Sequence, residues 1–226
     1  MKNHYAENVD KHHLSRGADR IDSSGYRSRM KLGVIAFFCL ISIVGNLATS
    51  FLASALHAPI FLDTIFTVAI TFYAGLVPGL IVAVLHNPIR TFIRSVIYGT
   101  DLFYFGSLYA VCGMLIALST WIFSRNKKDF FFNRTVTVLY LLIIVFVSSF
   151  LSCFSASALD TFIRPLLNDS LRFFPTDIFS FPFQKLKFGM FLSYLLPRIP
   201  ITVLDRLICT FSGFGLYRLV ERRTAC

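Results

Sequence analysis

Seven side chains in this sequence suit the binding of a small polar solute: Asp63, His86, Asn87, Arg90, Arg94, Arg164 and Asp205. Each sits in a short polar interruption of an apolar run. Asp63 falls in Phe61-Leu-Asp63-Thr64, and the stretch His86-Asn87-Pro-Ile-Arg90-Thr-Phe-Ile-Arg94 carries four of the seven. Arg164 closes Asp160-Thr-Phe-Ile-Arg164, and Asp205 lies in Leu204-Asp205-Arg206-Leu207, well inside the last apolar run. A guanidinium presents a planar fork of donors that matches a carboxylate or phosphate, so the arginines suit an acidic group on the solute. Asn87 can donate and accept at a polar edge, and Asp205 would set the charge of the cavity. No catalytic residue, metal ligand or cofactor site is expected.

Plainer uses stand beside these. Ionisable groups inside membrane spans are costly and usually face a partner or a wet cavity. Asp205 therefore also reads as half of an ion pair, with Arg198, Arg90 or Arg94 as partner. Asp63-Thr64 stands where a carboxylate would cap a helix N-terminus. His86-Asn87-Pro88 could be a packing break. The aromatic density near these segments fits an interfacial belt as well as stacking on a planar ligand.

These residues need a scaffold, and the apolar runs supply it. Leu32 to Leu56 holds no charged side chain, and about 20 such residues cross a bilayer. The chain is 55% hydrophobic and 15% charged, where a soluble domain carries about a quarter charged residues. The runs are too long and too continuous for barrel strands. The fold expected is an all-α integral membrane protein, a six-helix bundle over residues 31–223. Its spans fall near 32–56, 61–76, 78–97, 103–124, 135–159 and 191–220. The third is kinked or shortened at Pro88, and Gly75-Leu-Val-Pro78-Gly79 marks the turn before it. Residues 1–30 read as a disordered basic tail, with Leu32 onward as a retained anchor; His12-His13 belongs to that solvated tail.

Lys and Arg placement orients the bundle. With the N-terminus in the cytoplasm, the inner segments hold Arg16, Arg20, Arg27, Arg29 and Lys31, then Arg125, Lys127, Lys128 and Arg134, then Arg218, Arg222 and Arg223. The outer connections hold half as many, offset by Asp101, Asp160, Asp169 and Asp177. Both termini are expected inside, in the cell (inner) membrane. This placement also accounts for the net charge of +10 without nucleic acid.

Other chemistry finds little footing. Four of the five cysteines lie in apolar runs, and no CxxC or Cys/His cluster exists. GxSxG, HExxH, Walker A and GxGxxG are absent. Uphill transport would need a partner or an ion gradient. Small residues form stripes at Gly45, Thr49 and Ala53 and at Ser148, Ser152 and Ala156, which suit close helix packing or docking to another membrane subunit.

The stretch Phe61-Leu-Asp63-Thr64-Ile-Phe66-Thr67, followed by Tyr73-Ala-Gly75-Leu-Val-Pro78-Gly79 and His86-Asn87, resembles the S components of energy-coupling-factor (ECF) vitamin transporters. The last run, Pro200-Ile-Thr-Val-Leu-Asp205-Arg206 to Gly215-Leu-Tyr-Arg218, is similar to their C-terminal helix. The resemblance covers about residues 30–223. It implies a non-enzymatic substrate-capture subunit that takes up a micronutrient at the outer face and works with a transmembrane coupling subunit and ATPase subunits. That family carries an Ala-xxx-Ala coupling patch in the inner half of its first helix. Here the nearest stripe, Gly45-Thr49-Ala53, lies in the outer half. A membrane sensor or assembly subunit, and a membrane-embedded lipid-modifying enzyme, are the alternatives.

Overall fold

The computed structural model describes residues 32–56, 60–98, 103–167, 180, 182–183, 185 and 189–224. The expectations for the tail 1–30, for Asp101 and for most of the connection after Leu167 concern residues outside this set. Compactness divides the chain into two units, Met1–Phe37 and Phe38–Cys226. The first contributes only the opening turns of one helix to the described residues, and the packing below is that of the second.

All regular structure among the described residues is helical. The elements are α1 (Leu32–Ala55), α2 (Ile65–Ala74), α3 (Leu76–Tyr98), α4 (Phe103–Leu108), α5 (Ala110–Ser124), α6 (Lys127–Phe130), α7 (Arg134–Ala158) and α8 (Met190–Thr224). A π turn, Leu159–Ile163, and a 3-10 turn, Pro165–Leu167, extend α7. Five helical stretches are long and apolar enough to cross a membrane: Gly33–Ala55, Leu76–Ile97, Phe105–Ser124, Arg134–Ile163 and Met190–Arg223. Helices suit that setting because all their backbone bonds close within the segment.

The second expected span differs. Its helix, α2, has only 10 residues, and residues 60–63 before it form no helix. It ends at Gly75, where φ is +95° and the amide bonds back to the Thr71 carbonyl at 3.0 Å. Glycine takes that backbone conformation without the Cβ penalty other residues meet. The next helix starts at once, with Pro78 in its first turn, where a missing N–H leaves no bond unmade. The third expected span, 78–97, corresponds to α3, which runs through Pro88 to Tyr98, so it is not shortened there.

The helices pair in readable registers. Phe38 stacks near Tyr73 at 5.3 Å, Asn46 meets Phe66 and Thr67, and Thr49 meets Leu62, so α1 and the 60–74 segment run antiparallel. A side chain on Gly79 would meet Ala117, one on Gly113 would meet Ala83, and one on Gly106 would meet Thr91, which sets α3 antiparallel to α4–α5. In α8, Asp205 lies beside Leu62 and Tyr217 beside Phe72, so α8 runs parallel to α2. At the Phe72 end the core is aromatic: Phe72, Phe130 and Tyr217 are buried with Val68, Ile116, Leu141 and Ile144. Lys127 sits over the rings of Phe72, Phe131 and Tyr217 at 5.4, 5.8 and 5.1 Å.

The burial pattern is inverted relative to a soluble bundle. Asn46, Thr67, Thr120, Ser148 and Thr210 are fully buried, while Leu40, Val44, Phe146, Phe150 and Phe154 point outward, Phe150 with 72% of its surface exposed. A contiguous apolar exterior of this kind is rare on soluble monomers and is compatible with a multi-pass membrane protein. Both small-residue stripes pack inside the bundle. Ser148, Ser152 and Ala156 are buried; the Phe66 ring fills the space over Gly45, Thr49 bonds to Leu62, and Ala53 is buried.

Candidate functional site

The site is built on the non-helical leg before α2. Leu62 has φ +46°, in the left-handed region that opposes a side chain by about 1–2 kcal/mol. The turn is held from two sides. The Asp205 carboxylate accepts from the amides of Phe61 and Leu62 at 2.9 and 2.8 Å through Oδ1. The Thr49 hydroxyl donates to the Leu62 carbonyl at 2.5 Å. An acid inside an apolar helix thus satisfies backbone donors that no helix would pair, as buried amides require.

Arg206 completes this arrangement. Its Nη1 stands 3.7 Å from Asp205 Oδ2 and donates to Thr64 Oγ1 at 2.5 Å. The expected partners of Asp205 are corrected here: its facing guanidinium belongs to Arg206, and Arg198 is committed elsewhere. Asp63 is not the cap of α2. Thr64 holds the cap position without a side-chain cap bond, and Asn46 reaches across from α1. Asn46 Oδ1 accepts from the Phe66 amide at 2.9 Å and Nδ2 donates to Thr67 Oγ1 at 2.9 Å.

Free of capping, Asp63 turns toward α3. Its Oδ2 lies 3.7 Å from Arg90 Nη1, and its buried Oδ1 has no hydrogen-bond partner. His86, one turn before Arg90, is 2% exposed, and neither ring nitrogen has a hydrogen-bond partner. It feels the charges of both Asp63 and Arg90, and Arg90 in turn feels Asp205. Of the seven expected residues, Asp63 and Arg90 face each other directly, and His86, Arg94 and Asp205 lie within electrostatic range of that pair. Asn87 is buried beside His86 in sequence. Arg94 is exposed one turn beyond Arg90. Arg164 is buried but stands on a separate element, at the end of the π turn.

That π turn belongs to a second polar group. Asp160 accepts from Tyr109 Oη at 2.5 Å through Oδ1 and faces Arg198 Nη2 at 2.6 Å through Oδ2. The Arg198 guanidinium lies 5.9 Å from the centre of the Tyr109 ring. Buried Cys112 points its thiol at the Ser152 carbonyl, 3.7 Å away. A cleft of about 300 Å³ beside Asp160 is lined by Val111, Ser155, Ala158, Leu159, Phe162 and Ile163; none of the seven residues lines it, and its apolar wall gives a polar solute little to bond.

Two participants escaped the sequence reading. Asn46 is the one amide side chain in the charge-free run from Leu32 to Leu56, and a buried amide needs partners, so it was findable. Tyr109 is the other and gives no signal, whereas its partner Asp160 opens the Asp160-Thr-Phe-Ile-Arg164 segment and is also a balancing acid. Among the described residues no three His, Cys, Asp or Glu side chains gather as metal ligands. Neither a family model, nor a curated protein, nor a solved structure matches this chain.

Proposed function

We propose that this chain is a solute-capture subunit of the cell membrane, acting as ECF-type S components do and binding a small micronutrient without changing it chemically. The observation that carries the reading is His86, a fully buried imidazole with both nitrogens unbonded, within range of the charge of Asp63, whose own buried Oδ1 is unbonded. Burying polar atoms without partners costs about 1–3 kcal/mol each in proteins. A solute bonding to both atoms recovers that free energy, which makes a purely structural role for His86 uneconomical.

In this reading the chain crosses six times, with both termini cytoplasmic. The ten residues of α2 span roughly 15 Å, and an extended leg from residue 60 adds up to roughly 16 Å, which together approach the ~30 Å hydrocarbon core. Lys127 and Arg218 both lie over the Phe131 ring, at the end opposite Asp63 and Arg90. The positive-inside rule then turns that end to the cytosol and the His86 half outward. Uptake would be driven by ATPases through a coupling subunit. Because Phe66 covers Gly45, Leu62 engages Thr49 and Ala53 is buried, that subunit docks on another face.

The test is extraction of the full-length protein, purified in detergent, followed by mass spectrometry of what it releases. Wild type should carry a stoichiometric small molecule, and His86→Leu should lose it by about tenfold or more, the equivalent of one lost hydrogen bond of about 1.4 kcal/mol. A wild type that carries nothing, or a variant that carries the same amount, overturns the reading.

A further inference from the structure

We propose that the solute bound between Asp63 and His86 is electrically neutral and presents hydrogen-bond donors beside acceptors, a polyol, amide or neutral heterocycle rather than an acid. The inference rests on the capture reading above and departs from the acidic solute that the arginines first suggested.

The arginines are already engaged. Arg90 faces Asp63 at 3.7 Å, Arg206 faces Asp205 at 3.7 Å and bonds to Thr64, and Arg198 faces Asp160 at 2.6 Å. Among the buried and half-buried groups around His86 this leaves two carboxylates and two guanidiniums, which sum to zero; Arg94, which also acts on Arg90, is exposed. A buried charge without a counter-charge is strongly disfavoured. An anion arriving here would have to take Arg90 from Asp63 and strand that carboxylate. A cation would do the converse to Arg90.

The open valences are of another kind. Asp63 Oδ1 accepts only, and an imidazole carrying one proton offers one donor and one acceptor. The unsatisfied set in this group of charges is therefore two acceptors and two donors, with both ring nitrogens of His86, Asp63 Oδ1 and Arg206 Nε as its atoms. Its complement is a ligand with two donors, two acceptors and no net charge. A site of this type rejects analogues that lack the matching hydrogen, because its own buried groups are then left unpaired.

The test adds three variants to the extraction experiment: Asp63→Asn, Arg90→Gln, and the two together. Each single change leaves one uncompensated charge and should lower retention of the wild-type molecule by about tenfold or more. The double variant restores neutrality with side chains that still hydrogen-bond, and should recover retention to within about threefold of wild type. An anion-binding site behaves oppositely: Asp63→Asn frees Arg90 and raises retention, and the double variant, lacking the guanidinium, recovers nothing. Either of those results, or identification of the wild-type molecule as an ion, overturns the proposal while leaving solute capture intact. An empty wild type sinks both. A double variant that elutes as aggregate is replaced by the readout from the wild-type molecule's own charge, which decides alone.

Discussion

Replacing Asp205 with alanine should be among the most damaging single changes in this protein. Its carboxylate is fully buried, accepts from two backbone amides and faces Arg206. Removing it strands a guanidinium that is itself 4% exposed, which costs about 3–5 kcal/mol for a buried pair. The Phe61 and Leu62 amides also lose an ionised acceptor, worth about 1.5–3 kcal/mol each, though these terms overlap and do not simply add. At about 2–4 °C per kcal/mol for a chain of this size, Asp205→Ala should unfold roughly 6–20 °C below wild type. The assay is thermal unfolding in detergent at one fixed scan rate, since an irreversible transition shifts with rate. Asp205→Asn keeps an oxygen for the two amides and should fall less. Asp205→Ala with Arg206→Leu removes both charges and should recover at least about half the loss, as replacing a whole buried pair by apolar groups often does. An Asp205→Ala protein within about 2 °C of wild type would refute the idea that this carboxylate organises the leg before α2.

Two further outcomes follow from the packing and the proposed orientation. A methyl on Gly213 would meet the Ile65 carbonyl at 2.6 Å and Val68 at 2.8 Å, so Gly213→Ala should destabilise by about 1–3 kcal/mol through overpacking, visible as a lowered unfolding temperature; an unchanged transition would mean α2 and α8 are not this close. In a variant whose own five cysteines are changed to serine, Arg94→Cys should react with an impermeant maleimide added outside intact cells, and Lys128→Cys should react only after the membrane is opened. The reverse pattern would invert the topology.

The long spans are legible because an apolar run without charges has few other solutions, and five of them match helical stretches to within a few residues. The second failed for a physical reason. Phe61 and Leu62 are as apolar as any helix residue, so hydropathy counted them into a span. What holds them out of a helix is Asp205, 143 positions away along the chain, and no local pattern announces that. The pairing of Asp205 was misassigned for a related reason. Adjacent residues on a helix do not face each other, so Arg206 was passed over, yet its long side chain bridges Asp205 and Thr64. Asp63 and Arg90 were both on the expected list, but their mutual engagement depends on α2 and α3 folding back at Gly75. Sequence side alone groups Arg164 and Arg94 with them; Arg94 shares the face of Arg90 but is exposed one turn further on, and Arg164 stands on a separate element.

The most direct test of solute capture is an experimental map of the full-length protein in lipid nanodiscs, prepared without stripping bound molecules. The account predicts non-protein density, larger than a water, within hydrogen-bonding distance of a His86 ring nitrogen and of Asp63 Oδ1. A map in which those atoms bond only to protein groups or to single waters would contradict it.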